Sequence, residues 1–174
     1  MSVALASLVP FTPDEAPKII VLGAGDGAVA DALLARFPHA TLTVLESTEP
    51  GREEAAARLA PAGARARVAT FDLAALDWWD RMFGADAVVS SRQLSALNDA
   101  KTQYLYKAAA DRLSPRGAFL VAEALEPGQL FHHLVWLRHA GFAVVDCFWR
   151  DDHLAIFGGL KQAAASAPPL PAGS

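Results

Sequence analysis

A buried-strand pattern running straight into three alternate glycines constrains this chain more than any other feature. Ile19, Ile20, Val21 and Leu22 form a continuous apolar run, mostly β-branched. Such a run suits a strand covered on both faces, as in a parallel sheet. Gly23, Gly25 and Gly27 follow at once, and Ala28 to Phe37 then carries helical spacing. A strand, a glycine turn and a helix bring a polar or anionic ligand against backbone N–H groups at the helix N-terminus. Glycine suits the loop because the chain turns sharply there and a side chain would block a ligand's close approach. Two kinds of loop share this spacing. Gly23-x-Gly25-x-x-Ala28 fits a dinucleotide fingerprint, and Gly23-x-Gly25-x-Gly27 fits a nucleoside-binding loop of another kind. A tight βα turn holding no ligand has the same pattern, so residues downstream must decide.

The rest of the chain alternates strands with helices. Residues 2–9 suit a short apolar helix, and Pro10 to Pro17 a connector. Thr41 to Leu45 reads as a second strand closed by Glu46, and Gly51 to Leu59 has helical composition. Arg67 to Phe71 is a third strand ending in Asp72, Leu76 to Phe83 a short helix or turn, and Ala85 to Val89 a fourth strand running into Ser90-Ser91. Asp99 to Leu113 is a helix with Asn98 or Asp99 as its cap and Tyr104, Leu105, Ala108, Ala109, Arg112 and Leu113 along one stripe. Ala118 to Ala122 is a fifth strand ending at Glu123, followed by a helix from Gly128 to Ala140 that Gly141 stops. Phe142 to Trp149 and His153 to Phe157, on either side of Arg150-Asp151-Asp152, read as an antiparallel hairpin. The pattern predicts an α/β fold: a Rossmann-like, doubly wound, mostly parallel seven-stranded sheet with helices on both faces and a C-terminal antiparallel hairpin. One domain is expected over residues 1–161, with a disordered Ala/Pro-rich tail over 162–174.

In 174 residues, 53% are apolar and 20% charged, a globular profile long enough for a sizeable core. The net charge of −4, with no run of Lys or Arg, disfavours a nucleic-acid or anionic membrane partner. One cysteine, Cys147, excludes an intramolecular disulfide or a thiolate metal cluster, and its strand setting makes it a core residue. The first ten residues lack the charged start of a signal peptide and are broken by Pro10, so the cytoplasm is the expected location.

In open α/β sheets ligands bind beyond the carboxyl ends of the strands. Gly23–Gly27, Glu46, Asp72, Ser90-Ser91 and Glu123 each fall at such an end. Glu46, 21 residues beyond Gly25, can accept hydrogen bonds from ribose hydroxyls. Asp72 can accept from an adenine amino group or cap the following turn, and Leu73 can pack on the ring. Small residues at Ser90 and Ser91 let backbone approach a ligand, whereas Glu123 reads as a solvated strand end. On the helix from Gly128, Leu130, Leu134 and Leu137 form an apolar face and His132, Trp136 and His139 another. The histidines lack the further ligands that a metal needs. Trp78-Trp79 reads as core packing.

With these residues in view, the chain resembles the class I S-adenosylmethionine-dependent methyltransferases. The resemblance rests on Val-Leu-Gly-Ala-Gly-Asp-Gly (21–27), Thr-Val-Leu-Glu (43–46), Phe-Asp-Leu (71–73) and Asp-Ala-Val-Val-Ser-Ser (86–91). It continues through Leu-Ser-Pro-Arg-Gly-Ala-Phe-Leu (113–120) and the terminal segment 140–159. It implies S-adenosyl-L-methionine as cofactor, with Gly23, Ala24, Gly25 and Gly27 lining its methionine and ribose portion. It further implies Glu46 and Ser47 at the ribose, Asp72 and Leu73 at the adenine, and Ser90 near the methyl. The family usually has an acid where this chain has Val21, a bulky apolar residue where Gly51 stands, and a histidine pair in related subgroups where Ser95-Ala96 stands. The segment from Glu123 to Gly128 is also short, where relatives insert a helical stretch over the substrate. These departures predict weaker cofactor contacts and a substrate side that is open or completed by another chain.

The expected activity is in-line methyl transfer to a small-molecule acceptor. That step asks for alignment more than acid–base help, because the cofactor carries the leaving group. No catalytic residue is assigned; Glu123, His132 and His133 are the candidates, and no metal is expected. Two other readings stay open: a non-catalytic module with this fold that needs a partner chain, and a nicotinamide-dependent oxidoreductase resting on Ala28 and Glu46. The last hairpin offers an edge through which a homodimer could form.

Overall fold

The chain runs α1 (Ser2–Ser7), β1 (Lys18–Leu22), α2 (Ala28–Arg36), β2 (Thr41–Glu46), α3 (Glu49–Leu59), β3 (Ala66–Thr70) and β4 (Ala87–Ser91). It continues through α4 (Asp99–Arg112), β5 (Ala118–Ala124), α5 (Gln129–Ala140), β6 (Val144–Asp151) and β7 (Leu154–Leu160). The structure is a computed structural model that describes residues 1–73, 75 and 83–162. The expected helix or turn at 76–83, apart from Phe83, the Trp78-Trp79 pair and the tail beyond 162 lie outside the described residues.

Seven strands form one sheet in the order β3-β2-β1-β4-β5-β7-β6. β1 to β5 pair in parallel, and β7 runs antiparallel to both β5 and β6. The doubly wound sheet with its C-terminal antiparallel hairpin is therefore the architecture expected from the sequence. The winding reverses between β1 and β4, which opens a crevice at their carboxyl ends.

Strand alternation feeds two cores. Ile19 and Val21 pack with α1, α2 and α3, through Leu5, Leu33, Phe37 and Leu59. Ile20 and Leu22 face α4 and α5, through Leu105, Tyr106 and Leu137. Full burial of one such side chain stabilises by about 1.5–3 kcal/mol, and the continuous apolar run of β1 supplies both faces at once. Val21 is 1% exposed, in register with Val44 and Val89.

Several local expectations need correction. On α4 the buried aromatic is Tyr106, and Tyr104 is 47% exposed. The stripe follows Thr102, Leu105, Tyr106, Ala109 and Leu113, spaced i, i+3, i+4, i+7, i+11. Asn98 is the cap, its side chain accepting the Lys101 N–H at 3.0 Å. β3 stops at Thr70, so Asp72 lies two residues past it. The first strand of the hairpin lies two residues further along than the sequence reading, the last one runs on to Leu160, and the hairpin turns at Asp152, which has φ 47°. Cys147 is half-buried on β6 beside the α4/α5 core. β6 is the outer strand and leaves Val144 and Trp149 exposed. Among the described residues, no helix is long and apolar enough to cross a membrane.

Glu123 is the largest correction. It lies inside β5, 3% exposed, because the ladder with β7 runs two residues further than expected, to Ala124 opposite Leu154. A partner for the buried carboxylate comes from another element: the Leu94 N–H donates to its Oε2 at 2.9 Å.

Candidate functional site

The three glycines after β1 do different work. Gly25 is exposed, has φ 52°, and a Cβ placed on it would meet nothing within 4 Å. A Cβ on Gly23 would stand 2.3 Å from Nε2 of Gln93, whose side chain lies across it from the turn after β4. A Cβ on Gly27 would stand 2.4 Å from Cδ of Arg58, which reaches from α3 to pair with Asp31 of α2 at 2.7 Å. Only Gly25 thus leaves space for a ligand. Gly27 is favoured by the left-handed conformation with which it starts α2, and the Arg58 side chain lies across it.

Glu46 ends β2 with its carboxylate turned towards the loop. Oε2 accepts the Ala24 N–H at 2.9 Å. Oε1 accepts from Ser47 N–H at 3.0 Å, Thr48 N–H at 3.1 Å and the Thr48 hydroxyl at 3.0 Å. Partial burial opposes ionisation, but the hydrogen bonds from Ala24, Thr48 and Ser47 outweigh it and hold the carboxyl below its usual value. Gly51 makes this docking possible. A Cβ there would stand 2.7 Å from Thr48 Oγ1 and 3.0 Å from Glu46 Cδ. The carboxylate thus lies against Gly51 at the start of α3, where the helix dipole favours negative charge.

The remaining expected residues spread around this point. Ala24 is 7% exposed and Leu73 8%, while Ser47 and Asp72 are exposed. The Phe71 N–H donates to the Glu46 carbonyl at 3.2 Å and keeps the segment carrying Asp72 and Leu73 beside the end of β2. Ser90 sits one residue inside the end of β4, paired with Leu22 and Val121; it is 0% exposed, and its Oγ has no hydrogen-bond partner. Beyond it the chain turns through Arg92, with φ 55°, and the Gln93 side chain lies over Gly23. Sequence reasoning missed Gln93, and nothing in the local pattern marks it.

A second constellation lies under α4 and α5. A cavity of about 170 Å³ is lined by Leu94, Ser95, Thr102, Glu123, His133 and Trp136, among others. The Tyr106 hydroxyl lies 2.7 Å from Nδ1 of His133. Burial keeps the phenol neutral, with the charge of Glu123 adding to the effect. Burial pushes His133 down to about 4, with Asp99 pulling the other way and His132 reinforcing the fall. Glu123 moves in the opposite direction: burial raises its carboxyl against N–H donors from Leu94, Ala124 and Ser95 and the charge of Arg92. His132 is exposed and stacks on Trp136 at 5.9 Å. Among the described residues no group of three or more His, Cys, Asp or Glu could hold a metal. A larger cavity, about 370 Å³, opens at the amino ends of the strands beside Lys18, Thr41 and Arg67, away from the end where such sheets bind ligands.

A pH prediction follows. An imidazole near 6.5 when unfolded and near 4 when folded binds its proton first in the unfolded chain. Its stabilising effect is complete above about pH 6.5 and is lost as pH falls towards 4. Glu123, raised on folding, has the opposite sign, and Asp99 and His132 also face the ring. The melting temperature of His133→Gln is therefore expected to fall less steeply than wild type between pH 6.5 and 4, by thermal denaturation. Parallel curves would contradict the buried neutral imidazole.

Comparison with known proteins agrees with this arrangement. No curated protein matches the sequence. Among solved structures, the S-adenosylmethionine-dependent methyltransferase SibL in its apo form is 22% identical with a TM-score of 0.69, over 85% of this chain and 51% of that one. An O-methyltransferase family protein from Burkholderia thailandensis is 18% identical with a TM-score of 0.71, over 93% and 56%. Human N-acetylserotonin methyltransferase, solved in complex with SAM, is 20% identical with a TM-score of 0.69, over 92% and 51%. These likenesses concern the fold, and the chain spans about half the length of these three structures. Residues 19–117, more than half of the sequence, match the methyltransferase domain family, and with the glycine loop, the acid-ended second strand and the reversed last strand in place, the chain belongs to the class I S-adenosylmethionine-dependent methyltransferases.

Proposed function

We propose that this chain binds S-adenosylmethionine in the crevice at the carboxyl ends of β1, β2 and β4 and directs methyl transfer to a small-molecule acceptor. The observation that carries the reading is the Glu46 carboxylate. Its Oε1 is filled by three protein donors, while Oε2 holds only the Ala24 N–H. A carboxylate oxygen accepts about two hydrogen bonds, so Oε2 retains capacity for a ribose hydroxyl beside the open face of Gly25. Gly23, Ala24, Gly25 and Gly27 would shape the loop, Ser47 the rim next to Glu46, and Asp72 and Leu73 the adenine side. Ser90, fully buried, would form the floor. These residues fit the group.

When bound, the cofactor supplies a methyl group on a sulfonium that needs no further activation. The protein's part is alignment, which can contribute ~7–11 kcal/mol when reacting groups are held in place. An acceptor that arrives protonated needs a base, and the cavity beside Ser95 offers two groups. Glu123 is the better proton acceptor, because burial strengthens its carboxylate as a base and weakens His133. A second reading, in which a partner chain completes the acceptor side, is favoured by the four-residue β5–α5 connection, Leu125–Gly128, and by Phe131, 67% exposed just beyond it.

Calorimetric titration with S-adenosylhomocysteine tests the proposal. Saturable binding at one site per chain is expected; no heat of binding at millimolar ligand would overturn it.

A further inference from the structure

We propose that Gln93 holds the α-amino-acid end of the cofactor, a role that rests on the binding site proposed above. In relatives this end commonly meets an acid two residues before the first glycine. Here that position is Val21, buried between β2 and β4 with 1% exposure, and no carboxylate can be presented from it. The nearest loop acid, Asp26, is turned to its own helix, accepting the Ala28 N–H at 3.0 Å. The side chain that reaches the loop is Gln93. Its Cγ, Cδ and Nε2 all lie within 3 Å of where a Cβ on Gly23 would stand.

The backbone around Gln93 is built to aim it there. Arg92 adopts φ 55°, a left-handed conformation unusual for a non-glycine residue. Both flanks are pinned: the Arg92 N–H donates to the Ala122 carbonyl at 2.9 Å, and the Leu94 N–H to the buried Glu123 carboxylate at 2.9 Å. The strained elbow thus turns Gln93 back over the glycine loop.

The chemistry of the amide matches the ligand. Nε2 spends one N–H on the Ser91 carbonyl at 3.4 Å, a long contact. A second N–H and the Oε1 lone pairs remain. An amino-acid end carries an ammonium and a carboxylate together, and a primary amide is the neutral side chain that can accept from one and donate to the other. Gln93 replaces a charge–charge anchor with a neutral, two-sided one.

The test compares two ligands that differ only at that end: S-adenosylhomocysteine and 5′-methylthioadenosine, which keeps the adenosine and sulfur but lacks the amino acid. Affinities for wild type, Gln93→Ala and the near-isosteric Gln93→Met are measured by calorimetry, with thermal melts to confirm folding. Both variants are expected to lose roughly tenfold or more in affinity for S-adenosylhomocysteine, as for hydrogen bonds to charged groups, and to keep wild-type affinity for 5′-methylthioadenosine within about twofold. Unchanged S-adenosylhomocysteine affinity in Gln93→Met would reduce Gln93 to a packing residue and overturn the proposal. So would equal losses for both ligands, or tighter binding by Gln93→Ala, which would make the side chain a cover over the crevice. A wild-type chain that binds neither ligand would instead remove the cofactor site itself, and this role with it.

Discussion

Glu46→Ala is expected to weaken S-adenosylhomocysteine binding by roughly 10- to 150-fold, the loss of about 1.5–3 kcal/mol for a hydrogen bond to a charged group. The same substitution strips four donors of their acceptor: the Ala24, Ser47 and Thr48 N–H groups and the Thr48 hydroxyl. The glycine loop and the start of α3 then lose their common tie, so the effect exceeds that of one ligand contact. Glu46→Gln separates the two roles. It keeps the shape but places an NH₂ where an oxygen now accepts, so it is expected to disturb either the Ala24 contact or the Ser47–Thr48 contacts. Calorimetry under conditions where thermal melts show both variants folded checks the outcome. Wild-type affinity in both would place the ligand elsewhere.

The largest effect on stability is expected from Gly158→Ala. Gly158 lies in β7 opposite Leu120 of β5 and Asp146 of β6. A Cβ there would stand 2.2 Å from the Phe119 carbonyl oxygen and 3.1 Å from Leu120 Cα. Both are backbone atoms of an interior strand and cannot move aside as a side chain does. Overpacking costs ~1–3 kcal/mol and occasionally more, and a rigid backbone obstacle puts this site at the upper end. In a chain of this size ~3 kcal/mol lowers the melting temperature by roughly 6–12 °C. Gly159→Ala is the informative control. Its Cβ would stand 2.4 Å from Cγ and 2.7 Å from Cβ of the buried Phe142 side chain, an obstacle outside the backbone of the neighbouring strand, so a smaller drop is expected. Equal drops in a thermal melt would contradict the role of the β5 backbone.

What the sequence made legible is what local chemistry decides. The apolar run 19–22, the glycines behind it and the acid ending β2 were readable because each depends on neighbours along the chain. The antiparallel last strand was readable from two apolar runs flanking a polar turn. What escaped depends on partners far away in sequence. Glu123 looked like a solvated strand end because its partner, the Leu94 N–H, comes from a turn 29 residues earlier. Gln93 carried no signal, since only the elbow at Arg92 lays it over Gly23. Gly51 looked like a missing adenine contact until the structure put the Glu46 carboxylate in the space a side chain would fill. Tyr104 and Tyr106, two residues apart on one helix, differ only in which way α4 is rotated against the sheet.

An amide-resolved NMR titration with S-adenosylhomocysteine tests the cofactor crevice most directly. Saturating shifts are expected at Gly23–Gly27, Glu46–Thr48, Asp72–Leu73 and Arg92–Gln93, with the amino ends of the strands near Lys18 and Thr41 unmoved. Shifts confined to the amino-end cavity, or none at millimolar ligand, would contradict it.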